Sequence, residues 1–293
     1  MLAQSAEAAF NSKDHLFEVK WDGTRCVAFI EKDRLRLQNR RFLEMKHRYP
    51  ELAALKRLPA GTVLDGEIVV LEDGKPSFNR LQKREHLLDE RKISILSKEL
   101  PATFIVFDLL YLSGKSTMDE RLDFRRRTLK EIVGKLANPH VIASEFITEH
   151  GSNYFAAVEG LGLEGIMAKR LDSPYVEGKR SKNWLKIKVA QEANYEIIGF
   201  TKQDTTDFIS ALLIGERRGR SLYYKGKVGS GFTERQRKLY FEELSRLDVL
   251  ARPPKDGPRE AVWRHTGLKC RVRFFEKTKT GKLRAPVFQG LIK

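Results

Sequence analysis

The 293 residues read as an α+β chain of two domains, residues 1–190 and 191–293. Three observations predict this. Through the first two-thirds, strand-like apolar runs alternate with helix-like segments. After Val189 the texture changes to short strands, Gly- and charge-rich turns and a single helical segment, the pattern of a small barrel. The chain is 41% hydrophobic and 10% aromatic, enough for two cores of ordinary size and too apolar for a disordered chain.

Residues 16–19 and 26–30 are short apolar runs, and 35–38 alternates in the strand manner. Residues 62–71 form a longer run ending in the turn signal Glu72-Asp73-Gly74. Residues 103–112 are rich in aromatic and β-branched side chains, as strands are. Residues 119–136 predict an amphipathic helix, with Leu122, Leu129, Ile132, Val133 and Leu136 on roughly one face. A weaker helix covers 152–161, and 165–168 and 184–189 return to strand. Beyond the boundary, strands are expected at 195–201, 211–216, 222–228 and 269–276, with a helix at 234–247. Several strands and one helix in about 100 residues make the oligonucleotide/oligosaccharide-binding (OB) barrel the leading candidate.

Lys and Arg number 55 against 39 acidic residues, a net charge of +16. Such an excess points to a polyanion, most often nucleic acid. The charge is uneven: +6 over residues 1–190 and +10 over 191–293, about half the length. The C-terminal part is therefore the stronger electrostatic partner for phosphates. No run approaches the roughly 18 apolar residues of a membrane span. The N-terminus has neither the basic start nor the apolar core of a secretory signal. Cys26 and Cys270 are the only cysteines, too few for a disulfide framework, and a reduced cytoplasmic setting is expected.

Charges set inside apolar strands carry the chemistry. In Phe17-Glu18-Val19-Lys20-Trp21-Asp22-Gly23-Thr24-Arg25, a strand delivers one lysine to an Asp-Gly turn. A lysine amine is a nucleophile only when deprotonated, which burial or nearby cations favour. Taken alone, Lys20 could equally be a surface lysine beside a turn. Further along, Glu67 interrupts the strand Leu64-Asp65-Gly66-Glu67-Ile68-Val69-Val70, and Asp108 interrupts Phe104-Ile105-Val106-Phe107-Asp108-Leu109-Leu110-Tyr111. Buried charges there need a cation, metal or hydroxyl. Glu164-Gly165-Ile166-Met167-Ala168-Lys169 puts an acid and a base at opposite ends of one strand. In Trp184-Leu185-Lys186-Ile187-Lys188 the two lysines share one strand face, an arrangement suited to a polyphosphate between them. The sum is the chemistry of lysine attack on a nucleoside triphosphate. No Gly-x-x-x-x-Gly-Lys-Ser/Thr loop occurs, and the six histidines are scattered.

Lys20-x-Asp22-Gly23, Asp65-Gly66-Glu67, the 104–111 strand, 164–169 and 184–188 stand in the order and spacing of the covalent nucleotidyltransferases. That superfamily comprises ATP-dependent DNA ligases, RNA ligases and mRNA capping enzymes. The local wording most resembles bacterial ATP-dependent ligases of the ligase D type. It includes Glu164–Arg170, Tyr175-x-x-Gly178-x-Arg180-Ser181-x-x-Trp184, Val228-Gly229-Ser230-Gly231-Phe232 and Gly281-Lys282-Leu283-Arg284-Ala285-Pro286-Val287-Phe288. The resemblance runs from about Phe17 to the C-terminus.

The resemblance implies an adenylation (nucleotidyltransferase) domain of antiparallel sheets with flanking helices, followed by an OB barrel that clamps nicked duplex DNA. It implies that Lys20 forms lysyl-AMP from ATP, that AMP passes to the 5′-phosphate of the nick, and that the 3′-hydroxyl displaces it. Glu18 is then expected near the adenine amino group and Phe107 on the purine, with Lys169 also at the nucleotide. Arg25 and Glu67 would face the ribose, and Arg40 a phosphate of AMP or the nick. Asp22, Glu67 and Glu164 would organise Mg²⁺ or Mn²⁺. Lys186 and Lys188 would hold the α-phosphate and leaving group, and Arg284 would join them during Lys20 adenylation.

Nineteen residues precede Lys20, so the helical DNA-binding domain of larger ligases is not expected, nor are polymerase and phosphoesterase modules. The family's last motif often ends Gly-Leu-Arg-x-Asp-Lys, whereas this chain ends Gly290-Leu291-Ile292-Lys293, which leaves Arg284 with at most Lys293 to assist it. Ligase D similarity implies double-strand break repair by end joining, with the Ku end-binding protein as a partner and the ligase as a monomer; base-excision repair is the alternative. Other readings are an RNA ligase or capping-type enzyme, a catalytically silent break-binding protein, and a basic protein with an inert lysine. The wording after Lys188 argues against capping.

Overall fold

Alternation of apolar and charged residues builds two sheets in the first part of the chain. The computed structural model describes residues 1–203, 206–219, 221–278 and 280–292. Internal contacts divide the chain into two units, Met1–Lys188 and Val189–Lys293.

In the first unit, one sheet runs Leu2–Ser5, Arg180–Lys188, Gly165–Arg170, Ser12–Val19, Phe146–Glu149. Phe17, Ile166, Ala168 and Ile187 point to one face, where they pack on Val158, Tyr154 and Phe155 of helix α4 (Gly151–Gly160). The period of two then forces Glu18, Met167, Lys169, Trp184, Lys186 and Lys188 onto the opposite face. The second sheet runs Leu35–Asn39, Thr24–Ile30, Thr62–Glu72, Ala102–Leu112, with a short hairpin strand beyond and Val141–Ala143 beside the last. Its core face carries Cys26, Ala28, Leu37, Leu64, Ile68, Phe104 and Val106. They pack with the 3-10 segment Pro50–Arg57 and α3 (Leu122–Gly134).

The expected strands form, most of them longer by one to four residues at an end. Helix 119–136 contracts to α3, because Arg121 is extended at the N-cap. Two helices were not expected, α1 (Phe78–Glu85) and α2 (Glu90–Glu99). They bury only Leu81, Arg84 and Ile93, too few for a visible stripe. Asp89 caps α2 by accepting from the Arg91 and Lys92 amides. Arg84 is wholly buried and donates to Glu51 and the Leu100 carbonyl, joining α1 to the 3-10 segment and to the C-cap of α2.

The second unit is a barrel. Its strands lie in the order Ser221–Val228, Ile209–Arg218, Gln191–Lys202, Lys269–Phe274, Val287–Ile292. A parallel bridge between Ser230 and Val287 closes the ring, with the Phe288 amide donating to the Ser230 carbonyl at 3.0 Å. In the chain, helix α5 (Glu234–Ser245) follows Ser221–Val228 and precedes Lys269–Phe274. A path of five strands in this order, with Ala261–Trp263 paired beside Gln191–Lys202, a parallel closure and a helix in that place make an OB fold. Thr233 and Gln236 form a capping box at the start of α5, whose Tyr240 and Leu244 plug the barrel core. The strand 269–276 ends at Phe274, and Glu276–Lys277 pairs instead with Leu283–Arg284 in a separate hairpin.

Candidate active site

The strand Ser12–Val19 ends at Lys20, whose amide donates to the Gly165 carbonyl at 2.9 Å. This bond holds Lys20 beside the start of the strand that carries Glu164. The following turn presses on the second sheet: a Cβ on Gly23 would collide with the Ile68 carbonyl, so only glycine fits. The next residue, Thr24, donates its hydroxyl to Glu85 at the end of α1. Gly165, at φ 143°, approaches the Ile187 carbonyl as closely and keeps Glu164 level with Lys188.

Glu164 is the meeting point of the two lysines. Lys20 Nζ donates to its Oε2, and Lys188 Nζ lies 2.9 Å from its Oε1. All three side chains are roughly a fifth exposed, so the cluster opens to solvent and to a ligand. Beside it lies a cavity of about 280 Å³. Glu18, Lys20, Arg25 and Arg40 line it, and so do Glu67, Phe107, Lys169 and Lys186. Eight of the residues expected at the nucleotide therefore share one cleft. A larger opening of about 740 Å³ shares Arg25 and Arg40 but is walled by Val27, Phe29, Val63, Tyr111 and Met118. It lacks the lysine chemistry, and the smaller cleft is the chemical site.

At the inner end of the cleft the charges are buried. Glu18 and Lys169 are each 1% exposed. Lys169 Nζ contacts Glu18 Oε1 and lies 4.2 Å from the Phe107 ring centroid and 4.0 Å from that of Trp184. Burial pushes the Lys169 ammonium pKa down, while Glu18 opposes the shift. Phe107 sits at a β-bulge, where Asp65 pairs with Asp108 but Gly66 with Val106. A bulge re-aims a side chain, and here it delivers the aromatic ring to the cleft. The Phe107 and Trp184 rings meet edge to face at 5.9 Å.

Arg25 departs from the simplest expectation. It lines the cleft, but its Nε and Nη2 are held by Asp65 at 2.9 and 2.6 Å. Tyr175 donates to the same buried Asp65 at 2.9 Å. The guanidinium carbon of Arg25 lies over both aromatic rings, 5.6 Å from the Phe107 centroid and 5.8 Å from that of Trp184. Glu67 has no such partner. Desolvation pushes its carboxyl up from 4.5 to about 8, against the pull of Lys20 and Arg25. Asp22 stays open to solvent, and partial desolvation and the charge of Glu164 push its pKa upward. Arg40 is exposed in the turn after Leu35–Asn39, where the Asn39 side chain accepts from the Arg41 and Leu43 amides.

Among the described residues, no three His, Cys, Asp or Glu side chains form a ready-made metal cage. Glu164 and Lys20 instead act electrostatically on both Asp22 and Glu67. Those carboxylates suit Mg²⁺, which is commonly held by one or two carboxylates together with substrate phosphates. Arg284 belongs to the second unit, exposed on its short hairpin strand, and Lys293 lies outside the described residues.

Sequence reasoning missed Arg125 and Arg126 of α3. Arg125 donates to the wholly buried Asp108 at 2.7 and 3.0 Å. Arg126 donates to the Phe107 carbonyl at 2.6 Å and lies 3.2 Å from Glu18. The signal was present: both stand three and four residues after Leu122, on the same apolar stripe as Leu129 and Val133.

Residues 1–188 match the family model of the ATP dependent DNA ligase domain, and residues 205–292 match that of the ATP dependent DNA ligase C terminal region. The multifunctional non-homologous end joining protein LigD of Mycolicibacterium smegmatis is 31% identical over 99% of this chain and 38% of its own length. The chain thus spans little more than a third of such relatives. The SPbeta prophage-derived DNA ligase-like protein LigB of Bacillus subtilis is 30% identical over 99% of this chain and 97% of its own. The crystal structure of the ligase domain of Mycobacterium tuberculosis LigD is 30% identical, with a TM-score of 0.59 over 99% of this chain and 93% of that one. Five motifs in order, a lysine beside a nucleotide-sized cleft, an OB barrel and two matched models agree: the chain belongs to the ATP-dependent DNA ligases.

Proposed function

We propose that the chain seals 5′-phosphate/3′-hydroxyl nicks in duplex DNA through a lysyl-AMP on Lys20, and that it acts in the repair of DNA breaks. The observation that carries this is the meeting of Lys20 and Lys188 on Glu164 at the mouth of a cleft lined by Glu18, Phe107 and Lys169. In the first step Lys20 Nζ forms a bond to the α-phosphorus of ATP, and the bond from that phosphorus to pyrophosphate breaks. Glu164, in contact with Nζ, is placed to take its proton. Lys186 and Lys188 act on the charge that develops at the α-phosphate and leaving group. Phe107 supplies a stacking surface for the purine, Glu18 an acceptor for its amino group and Lys169 a buried charge beside both. Arg25 and Glu67 serve the ribose end, and Arg40, from its exposed turn, a phosphate. Asp22 and Glu164, with Glu67 near by, would hold Mg²⁺ or Mn²⁺, which would offset phosphate charge.

AMP then passes to the 5′-phosphate of the nick, and the 3′-hydroxyl displaces it. Residues 1–190 are read as the adenylation domain and 191–293 as the DNA clamp, with Arg284 assisting only the first step. Strand Lys269–Phe274 supports the clamp: Lys269, Arg271 and Arg273 are exposed while Cys270, Val272 and Phe274 are buried. The pathway is read as end joining with Ku, with a monomeric ligase acting in the cytoplasm; no helix among the described residues is long and apolar enough to cross a membrane. The test is a 5′-phosphorylated nicked duplex incubated with ATP and Mg²⁺ or Mn²⁺. Sealing with ATP and not GTP, and on DNA rather than RNA nicks, is expected. Adenylated protein that seals no DNA nick would leave the RNA-ligase or capping-type reading, and protein that takes up no AMP would leave the catalytically silent break-binding reading.

A further inference from the structure

Arg126 is 3% exposed and lines no part of the nucleotide cleft, yet it touches three pieces of the cleft wall. Its Nη1 donates to the carbonyl of Phe107 at 2.6 Å, at the bulge that presents the ring. Its Nη2 donates to the carbonyl of Ser144, whose hydroxyl accepts from the indole of Trp21, the neighbour of Lys20, at 3.3 Å. Its guanidinium lies 3.2 Å from Glu18 Oε2. The Phe146 ring covers the guanidinium at 5.2 Å.

The state of that carboxylate oxygen is informative. Glu18 Oε1 meets Lys169. Glu18 Oε2 is fully buried and accepts no hydrogen bond, although a guanidinium nitrogen stands within reach. Arg126 therefore attracts Oε2 by charge while its own protons serve main-chain carbonyls. An oxygen fixed in place with its lone pairs unused is an acceptor kept for a donor from outside. A buried acceptor left unmatched is costly, so a ligand that supplies the donor recovers that cost.

We propose that Arg126 is a positioning residue for nucleobase selection, holding Glu18 Oε2 as the acceptor that reads a purine 6-amino group and locking the Phe107 bulge at the same depth. The proposal rests on the reading that Glu18 meets the amino group of ATP. A carboxylate has no proton to offer a 6-oxo purine and faces its oxygen with like charge. Sites that hydrogen-bond a particular group reject the analogue lacking it far better than apolar pockets do.

The experiment measures covalent nucleotidylation of the full chain by intact mass, with ATP and with inosine triphosphate, for wild type, Arg126→Met, Arg126→Lys and Glu18→Gln. Wild type should prefer ATP. Arg126→Met should lower the ATP-to-inosine ratio of kcat/KM about tenfold or more, with KM for ATP rising more than kcat falls. Arg126→Lys keeps a charge but lacks the planar fork that reaches Phe107, Ser144 and Glu18 together, so its ratio should fall about threefold, an intermediate loss. Should Arg126→Met not fold, Arg126→Lys decides. If both nucleotides lose equally, or the ratio stays at wild type, Arg126 is only a structural arginine and the inference is overturned. If Glu18→Gln also leaves the ratio unchanged, the reading of Glu18 falls and the inference with it. If Glu18→Gln collapses the ratio while the folded Arg126 variants do not, Glu18 stands and Arg126 alone is refuted.

Discussion

The two units handle charge in opposite ways. In Met1–Lys188, the ion pairs beneath the cleft are internal: Arg125–Asp108 is wholly buried, Lys169–Glu18 nearly so, and Arg25 holds a fully buried Asp65, while Lys20 and Lys188 on Glu164 stay partly open. In Val189–Lys293, every ion pair among the described residues has a member more than a third exposed, as in Arg217–Glu196 and Lys227–Glu260. Buried pairs cost desolvation and gain fixed geometry, whereas exposed pairs are weak, screened by salt and readily exchanged. The first unit spends its charges on holding reactive groups in place. The second leaves most of its paired cations exposed, where an outside anion can replace their present partners.

The largest effect should come from breaking a buried pair. Asp108→Ala leaves Arg125 charged and unpaired in the core and should destabilise the first unit by about 3–5 kcal/mol. Arg217→Met in the barrel should cost about 1 kcal/mol or less. Denaturant melts of the two variants check this, and equal losses would erase the contrast.

Glu67 sharpens the same contrast through pH. Its carboxyl titrates near 8 in the folded protein against 4.5 in its absence. Between those values the native state holds a proton that the unfolded chain has released, so stability falls as pH rises, and the slope ends above about 8. Glu67→Gln mimics the protonated form. In metal-free buffer it should match wild type near pH 4 and exceed it by a few kcal/mol at pH 8. A constant difference across that range would show that burial does not control this carboxyl.

Arg284 tests the division of labour. A guanidinium that acts on the leaving pyrophosphate matters only while pyrophosphate is present. Arg284→Ala should slow Lys20 adenylation by about 10²-fold and leave sealing of a pre-adenylylated nick much less changed. Equal loss on both substrates would make it a DNA-binding or structural residue.

The smallest effect concerns the cationic stripe of the barrel. Replacing Lys269, Arg271 and Arg273 together by Ala should weaken nick binding and reduce the salt slope by about 0.9 per lost phosphate contact. An unchanged slope would place the DNA on another face.

Much of the fold was legible because the strands repeat a period of two and bury one face. The pairs 17/18, 168/169 and 186/187 each split cleanly between core and cleft. Helices α1 and α2 were not, because they are mostly exposed and their main buried anchor is an arginine. Lys20, Glu67 and Lys186 stood out as charges on apolar strands, whereas Phe107 came only with the family resemblance. Which groups would pair did not stand out. Glu164 is 144 residues from Lys20, and Tyr175 is 110 from Asp65. A charge satisfied by so distant a group looks in sequence like any surface charge, and only the register of the sheets brings the two together. Arg126 shows the limit: its helical position marked it as buried, but not that Glu18 would be what it faces.

The central claim is that Lys20 carries the AMP. Wild type and Lys20→Ala should be compared by intact mass after incubation with ATP and Mg²⁺, and then on a pre-adenylylated nick without ATP. Wild type should gain one AMP, Lys20→Ala and Lys20→Arg none, and Lys20→Ala should still seal the pre-adenylylated nick because the barrel and cleft remain. An AMP adduct of normal yield in Lys20→Ala would contradict the account outright.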